Sequence, residues 1–192
     1  MKHAPSTKKR RADAERNVEA ILDAAVRCFG RRPDASMRDI AAAAGVGRVT
    51  LYAHFPSREL LLGAAIDRAA ADVMATIDAA RIDEGPARVA LGRMIRAGWS
   101  TLDWFWGLHV AAHGRSPAFV RQHSAPFLVR VDDLIVRGQA EGSFRTDLPR
   151  DWLVAAFYAL IHAAGQEVSD GRLDSAAAAD VLEATLIGLL AT

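Results

Sequence analysis

Apolar residues recur every three or four positions through most of the chain, which is the spacing of helices that bury one face. No long stretch alternates apolar and polar residues as a half-buried strand does, and alanine, leucine and arginine, which favour helices, are abundant. The pattern therefore predicts an all-α protein. The first predicted helix has its apolar face at Val18, Ile21, Leu22, Ala25, Val26 and Phe29.

Glycine and proline divide this pattern into separate helices. The sequence GRRPD at 30–34 ends the first helix, and two short helices are expected at about 36–43 and 47–54. Ser36 and Asp39 have the spacing of a capping box, and Gly45 provides the left-handed residue that ends the first short helix. Further helices are predicted at about 57–80, 87–103, 104–113, from Pro117 with a kink or restart at Pro126, 150–168 and 175–190.

Two short helices joined by a glycine turn are typical of the helix-turn-helix motif. The apolar residues Ile40, Val46 and Leu51 are expected to hold the two helices together from inside. An arginine can donate two hydrogen bonds to a guanine edge, and hydroxyl groups suit phosphate oxygens. The residues of the second helix expected to face a DNA groove are Gly47, Arg48, Val49, Thr50, Tyr52 and His54, and Arg58 is the expected phosphate clamp beyond it.

This region resembles the amino-terminal part of the TetR-type transcriptional repressors. The family pairs a helix of the form IL.AA...F with IA..AGVS.GTLY.HF..KE.L, and this chain has Ile21-Leu22, Ala24-Ala25 and Phe29 followed by IAAAAGVGRVTLYAHFPSRELL from residue 40 to 61. The resemblance implies an all-helical homodimer, with a three-helix DNA-binding domain and a ligand-binding domain of about six helices in each subunit. It also implies a pseudo-palindromic operator whose successive major grooves receive the two heads.

Three positions depart from the family pattern. Gly47 replaces the usual serine at the start of the recognition helix, where glycine is an acceptable cap that costs only a few tenths of a kcal/mol. Val49 stands where glycine or alanine is common, so it either touches a thymine methyl group or holds the helix farther from DNA. Met37 occupies a place where threonine or serine often touches phosphate, and Ser36 beside it is the expected substitute.

The charges are unevenly distributed along the chain. Residues 1–62 contain 12 Lys and Arg residues and 7 Asp and Glu residues, whereas residues 63–192 contain 12 and 16. A basic amino-terminal part on an acidic remainder indicates a polyanionic partner for the former. The expected organisation is a basic flexible arm at 1–14, a helix-turn-helix DNA-binding domain at 15–60, and a helical ligand-binding and dimerisation domain at 61–192.

An aromatic cluster near the middle of the chain is the predicted ligand-binding site. Residues Trp99, Trp106 and His113 are seven apart and can share a helix face. An aromatic wall with a few polar groups suits a small organic ligand, often planar or cationic, so a small hydrophobic or aromatic effector is expected. Ordinary core packing is the alternative. His109 and His113 lie one turn apart, but no acidic residue or cysteine accompanies them at ligand spacing, so neither a metal nor a cofactor is expected. The full predicted set is Met94, Trp99, Trp104, Phe105, Trp106, His109, His113 and Phe127.

The last two predicted helices carry apolar residues on more than one face. Residues such as Val154, Val181 and Leu190 lie off the main apolar stripe, and such a helical hairpin calls for a second partner. The resemblance implies a four-helix dimer interface, and a monomeric bundle is the alternative. The predicted interface residues are Trp152, Phe157, Leu160, Ile161, Leu182, Leu186 and Leu189.

Other classes of protein find little support in the sequence. The single cysteine, Cys28, cannot form an internal disulfide, and no apolar run approaches the ~20 residues of a membrane span, so a cytoplasmic protein without a membrane partner is expected. No Ser/His/Asp set, phosphate-binding glycine loop or carboxylate pair nominates an enzyme. The alternatives to a sequence-specific regulator are a non-specific architectural DNA-binding protein and an all-α enzyme, and activation versus repression stays open.

Overall fold

The computed structural model describes residues 7–112 and 117–192, with side chains at 13–99, 107–108, 110–112 and 124–192. The described residues form eight α-helices, and the only extended pairing among them is an isolated bridge between Phe144 and Ala191. The predicted all-α class is therefore confirmed. The helices are α1 (Thr7–Arg31), α2 (Met37–Ala43), α3 (Arg48–His54), α4 (Arg58–Ala79), α5 (Ala87–Ala111), α6 (Pro117–Ala140), α7 (Arg150–Ser169) and α8 (Ser175–Leu190).

The amino-terminal segment differs from the sequence-based expectation. Helix α1 already begins at Thr7, so residues 7–14 are helical where a flexible arm was predicted, and residues 1–6 lie outside the described part. No glycine or proline occurs between Pro5 and Gly30, and alanine, arginine and glutamate in this stretch favour a helix. The abundance of positive charge therefore did not prevent the helix from extending.

One further boundary differs from the prediction. The helices expected at 87–103 and 104–113 form one helix, α5, because nothing between them interrupts the backbone hydrogen bonding. Pro126 lies inside α6 without ending it, and its side chain is exposed. The predictions for α7 and α8 are confirmed to within one residue. Within the described residues, no helix combines the length and the apolar character that a membrane crossing requires.

The chain divides into two compact units. Unit 1 comprises the chain through Ala69 and a short stretch that begins at Gly107, and unit 2 comprises Ala70–Trp106 and the residues that follow the short stretch. The predicted boundary after residue 60 lies inside α4, which contributes its first half to unit 1 and its second half to unit 2. A boundary inside a continuous helix leaves no composition change in the sequence to mark it.

Unit 1 has its core where α1, α2, α3 and α4 meet. The fully buried side chains there include Ile21, Phe29, Ile40, Leu51 and Leu61. At the surface of the same unit, Arg68 of α4 forms ion pairs with Glu19 and Asp23 of α1, the latter at 3.1 Å. Exposed ion pairs contribute little, so the apolar core supplies most of the stability of this unit.

Unit 2 has a larger core that includes residues from α4 to α8. The residues that share complete or nearly complete burial include Ile77, Leu91, Val131, Ile135, Phe144, Leu153, Phe157, Leu186 and Leu190. Arg93 donates hydrogen bonds to the carbonyl oxygens of Ala80, Arg81 and Glu84, and Arg137 donates to that of Ile82. These bonds satisfy carbonyl groups in the loop that follows α4, and they fix that loop to α5 through Arg93 and to α6 through Arg137.

Gly107 marks a close approach of two helices inside unit 1. A Cβ atom at this position would overlap the carbonyl group and Cα atom of Gly30, near the end of α1. The obstacle is backbone, which cannot rotate away, so only glycine allows this packing. Gly98, on the same helix α5, has open space at the corresponding point.

Replacing these two glycines should therefore have opposite effects on stability. Gly107→Ala should lower the melting temperature, because α1 and α5 must separate to accommodate the methyl group. Gly98→Ala should raise the free energy of unfolding by up to about 1 kcal/mol, since alanine is the better helix former. Thermal denaturation followed by circular dichroism measures both. Equal or greater stability of Gly107→Ala would contradict the close approach.

Candidate DNA-binding and ligand-binding sites

Helix α2 begins with the predicted capping box. The Ser36 hydroxyl accepts a hydrogen bond from the Asp39 amide, and the Asp39 carboxylate accepts from the Ser36 amide at 3.1 Å. Asp39 also pairs with Arg32 at 2.9 Å, which ties the start of α2 to the end of α1. Hydrogen bonds from Ser36, helped by the nearby arginines, hold the pKa of Asp39 below its ordinary value.

A tight turn connects α2 to α3. Gly45 has a φ of +67°, which is the left-handed conformation predicted for it, and the Val46 amide donates to the carbonyl oxygen of Ala41 at 3.0 Å. Leu51 of α3 and Ile40 of α2 are fully buried in the core of unit 1. Burial of Leu51 determines which side of the short helix α3 faces outward.

The outer face of α3 carries the side chains that the sequence assigned to DNA. Arg48 is exposed, Val49 is 86% exposed and Tyr52 is 44% exposed, which is unusual for large apolar and aromatic residues. Thr50 and His54 are half-buried beside them, and Gly47 caps the helix without a side-chain hydrogen bond. The structure thus brings the predicted recognition residues onto one short helix, and their contact with DNA stays a prediction.

Two predicted phosphate contacts at the start of α2 do not fit the structure. Met37 is buried, with 8% of its surface exposed, and a thioether has no hydrogen to donate to a phosphate. The hydroxyl of Ser36 donates its only hydrogen to the Asp39 carboxylate at 2.8 Å. The structure therefore assigns Met37 to the core and Ser36 to helix capping.

Arg58 also has a different environment from the one expected. Its Nη2 donates to the carbonyl oxygen of Pro33 at 2.5 Å, its Nε donates to that of Ala35 at 3.4 Å, and its guanidinium carbon lies 4.9 Å from the centre of the Phe29 ring. The side chain therefore joins the start of α4 to α1 and to the segment before α2. This geometry favours a positioning role over the predicted phosphate clamp.

Arg38 is a candidate that the sequence reasoning missed. Its side chain is exposed in the first turn of α2. A positive charge near a helix amino terminus opposes the helix dipole, so it does little for the stability of α2. That mismatch between charge and position is the signal in the sequence that could have nominated Arg38 for a phosphate contact.

A cavity lies within unit 2. Together with the open solvent at its mouth, its empty space is about 880 Å³, and its walls are almost entirely apolar. Its aromatic walls include Phe127 and Phe157, whose ring centres are 6.1 Å apart. The described lining residues come from α4 to α8 and are Ala70, Val73, Met74, Met94, Ile95, Gly98, Ser124, Pro126, Phe127, Phe157, Tyr158, Ile161, His162, Gly165 and Leu182.

One polar cluster interrupts these apolar walls. The hydroxyl groups of Ser124 and Tyr158 lie 3.0 Å apart, and the ring of Tyr158 lies against that of His162, with centres 3.9 Å apart. Burial raises the pKa of the Tyr158 hydroxyl, although the hydrogen bond with Ser124 opposes this. Burial likewise lowers the pKa of His162, against the hydrogen bond to the Tyr158 carbonyl group. Both side chains are therefore uncharged at neutral pH.

The structure supports part of the predicted ligand-binding set. Met94 and Phe127 line the cavity, whereas Trp99 is buried in the core and its indole N–H donates to the Ser175 carbonyl oxygen at 3.2 Å. The side chains of Trp104, Phe105, Trp106 and His109 lie outside the described residues, and so does His113 as a whole. No group of three potential metal ligands occurs among the described residues.

Tyr158 and His162 were missed by the sequence reasoning, although they are one turn apart in an otherwise apolar helix. Two hydrogen-bonding rings at such a spacing in FYALIHAA could have nominated a polar site facing an interior space. The sequence reasoning also missed Ser124, whose side chain is buried. A serine on a predicted helix carries no comparable signal.

Four of the seven predicted dimer contacts lie in the core of the subunit itself. Phe157, Ile161, Leu182 and Leu186 are buried inside unit 2, and the first three line the cavity. Their apolar character serves the subunit's own core, and the sequence pattern could not tell which of two partners covers an apolar face. Leu160 and Leu189 are partly buried against the same core, and Trp152 is 61% exposed.

Replacing Arg58 by lysine distinguishes the positioning role of this residue from the predicted role as a phosphate clamp. We expect Arg58→Lys and Arg58→Ala both to lower the melting temperature, since neither retains the forked hydrogen bonds and the contact with Phe29. The free energy of unfolding should fall by about 1–3 kcal/mol. The slope of log affinity for DNA against log salt should stay at its wild-type value.

Arg38→Ala is the matched comparison. It should reduce the salt slope by about one unit with little change in the melting temperature. Binding titrations at several salt concentrations, with thermal denaturation of each variant, check both expectations. If Arg58→Lys keeps the wild-type melting temperature and Arg58→Ala reduces the salt slope of DNA binding, Arg58 is a phosphate clamp as predicted from the sequence.

Comparison with known proteins agrees with this geometry. The family described as "Bacterial regulatory proteins, tetR family" matches residues 21–65. The HTH-type transcriptional repressor LfrR of Mycolicibacterium smegmatis is 33% identical over 159 residues, which are 82% of each chain. The crystal structure of LfrR in complex with proflavine has a TM-score of 0.70 and 27% identity, covering 90% of this chain and 94% of LfrR.

The fold recurs in more distant proteins. A TetR-like transcriptional regulator from Rhodococcus sp. RHA1 has a TM-score of 0.66 and 23% identity, over 90% of this chain and 95% of its own. The identity with LfrR extends well beyond the helix-turn-helix, into the residues that build unit 2. The chain therefore belongs to the tetR family of bacterial regulatory proteins.

Proposed function

We propose that the protein is a sequence-specific transcriptional repressor that binds its operator as a homodimer and releases it when a small lipophilic molecule enters the cavity of unit 2. The observation that carries the proposal is the two-sided character of α3, with Leu51 fully buried and Val49 86% exposed. The name of LfrR supports repression, and its complex with proflavine supports a small-molecule effector.

The exposed face of α3 suits the major groove of DNA. A helix of seven residues is about 10 Å long, and the major groove is about 12 Å wide. Arg48 can address a guanine edge with two donors, the methyl groups of Val49 can contact a thymine methyl group, and Tyr52 can donate to a phosphate. An arginine and a branched apolar side chain on this face favour base reading over non-specific binding.

Dimerisation is assigned to the outer faces of α7 and α8. On each helix, small exposed residues recur at intervals of three or four, which places them on one face away from the core. Small side chains allow close approach of helices, and the exposed Val181 and Trp152 add apolar area that water does not favour. The proposed contact residues are Trp152, Ala155, Ala159 and Ala163 on α7, and Ala177, Val181, Ala184 and Gly188 on α8.

Helix α4 provides the proposed link between ligand and operator. Its first half belongs to unit 1, and its second half contributes Ala70, Val73 and Met74 to the cavity wall. A ligand that tilts this helix changes the separation of the two recognition helices, which the spacing of the half-sites fixes. A hundredfold loss of operator affinity needs about 2.7 kcal/mol of differential ligand binding, and the operator must weaken ligand binding equally.

Base reading is tested by binding-site selection from random duplexes. Arg48→Ala should relax the preference at one position in each half-site, at a cost of about 1–3 kcal/mol there. The control Arg38→Ala should instead weaken all duplexes to a similar extent. If Arg48→Ala selects the wild-type operator with undiminished preference at every position, Arg48 does not read a base.

The dimer face is tested with a charge on its surface. Val181→Asp should produce a folded monomer that has lost most of its operator affinity, because the carboxylate would be buried without a partner. Val89→Asp is the matched control, since Val89 of α5 is 54% exposed against 47% for Val181, and it should remain a dimer. Leu186→Asp, in the core, should unfold the subunit.

Sedimentation measures the oligomeric state of the three variants, and circular dichroism measures their folding. If Val181→Asp remains a dimer with full operator affinity, the assignment of the dimer face to α7 and α8 is wrong.

A further inference from the structure

The polar cluster in the cavity has a fixed hydrogen-bond inventory. Ser124 and Tyr158 each have one hydroxyl hydrogen, and the two oxygens share one hydrogen bond of 3.0 Å. Whichever hydroxyl donates to the other, the second keeps its own hydrogen. In either arrangement one hydroxyl hydrogen is not used between the two residues, and both residues line a cavity whose walls are otherwise almost entirely apolar.

Tyr158 is the better placed of the two to donate into the cavity. Ser124 is buried with 7% of its surface exposed, whereas Tyr158 is half-buried and is one of the residues that line the space. If Ser124 donates to Tyr158, then the phenol donates to the ligand, and each bond strengthens the other. Since burial raises the pKa of Tyr158, the phenol keeps its hydrogen at neutral pH.

His162 fixes this arrangement from the other side. Its Nδ1 lies 2.8 Å from the carbonyl oxygen of Tyr158, one turn earlier on α7. Because a carbonyl oxygen only accepts, the neutral imidazole carries its hydrogen on Nδ1. The two rings are in contact, so the imidazole also limits the positions available to the phenol.

The remaining walls indicate the shape and charge of the ligand. Phe127, Phe157 and the ring of Tyr158 offer aromatic surfaces to a flat molecule. None of the described residues that line the cavity is aspartate or glutamate, so among them a cation finds no opposite charge. Loss of hydration would then count against a charged ligand more than against a neutral one.

From these contacts we propose that the cavity takes an uncharged, flat, lipophilic molecule with one hydrogen-bond acceptor, such as an aryl carbonyl oxygen, which accepts from the Tyr158 hydroxyl while Ser124 donates to Tyr158. This inference rests on the proposed function in assigning the cavity to the effector. It goes beyond it by naming the chemical class of that effector. It also separates this chain's ligand from the cationic type that the dye proflavine represents.

Three tricyclic probes of similar size test the acceptor and the absence of charge. Xanthone has a carbonyl acceptor, xanthene has the same ring system without that carbonyl, and proflavine is a flat cation at neutral pH. Equilibrium dialysis of the full-length protein against each probe should show xanthone bound about tenfold more tightly than xanthene, the equivalent of one hydrogen bond in an apolar site. Proflavine should bind at least about tenfold more weakly than xanthone.

Variants of the two hydroxyl residues test the direction of the hydrogen bonds. Tyr158→Phe should bring the xanthone-to-xanthene ratio close to one, whereas Ser124→Ala should lower it by less, since the phenol can still donate. The control Thr76→Val removes a hydroxyl from α4 that bonds the Asp72 carbonyl oxygen and does not line the cavity, so it should leave the ratio unchanged. Thermal denaturation of each variant verifies that it folds.

The outcomes separate this inference from the proposed function. Tighter binding of proflavine than of xanthone, a ratio near one for the wild type, or a wild-type ratio in Tyr158→Phe overturns the ligand class. If the protein still binds an operator in those cases, the proposed function as a DNA-binding regulator is not contradicted. If xanthone binds with the expected preference but never releases operator DNA, the ligand class stands and induction through this cavity fails.

Discussion

The recognition helix, α3, is not stable in isolation. A helix of seven residues is too short to persist in water, so α3 exists because Leu51 is buried against the core of unit 1. That single burial also determines which residues face outward. The DNA contacts proposed for α3 depend on the surrounding helices, which hold this short helix in one orientation. The accuracy of that orientation limits how accurately the Arg48 side chain is placed against a base.

Several polar contacts around α2 help to hold these helices in a defined orientation. The capping box of Ser36 and Asp39 starts α2 at a defined residue, and the ion pair of Asp39 with Arg32 connects it to α1. Arg58 adds hydrogen bonds to the carbonyl groups of Pro33 and Ala35. These polar groups bond within unit 1. The residue types of Ser36 and Arg58 are also those that bind phosphate, which explains why both were predicted to contact DNA.

Unit 2 balances close packing against an internal space. Protein interiors are normally filled, and a cavity forgoes dispersion contacts along its walls. Here the cavity lies between α4, α5, α6, α7 and α8, and its one polar cluster is internally hydrogen-bonded, so no buried hydroxyl of that cluster is left without any partner. A ligand that fills the space recovers the missing contacts, which provides the free energy that a regulatory response requires.

The sequence by itself determined the all-α class, the ends of most helices, the glycine turn after α2 and the outward residues of α3. These features are local, because caps, breakers and a 3.6-residue period act within a few positions of the chain. The continuous α5 and the early start of α1 were also local, and they were misjudged where aromatic or basic composition was given more weight than the absence of a helix breaker.

Only the tertiary structure decided what covers each apolar face. Phe157, Leu182 and Leu186 satisfy the same hydropathy pattern whether their partner is the same subunit or a second one, and the fold places them inside unit 2. Likewise, Met37 and Arg58 have side chains whose surroundings come from residues distant in sequence. Burial and hydrogen bonding between distant residues are set by packing, and a one-dimensional pattern records the need for a partner without identifying it.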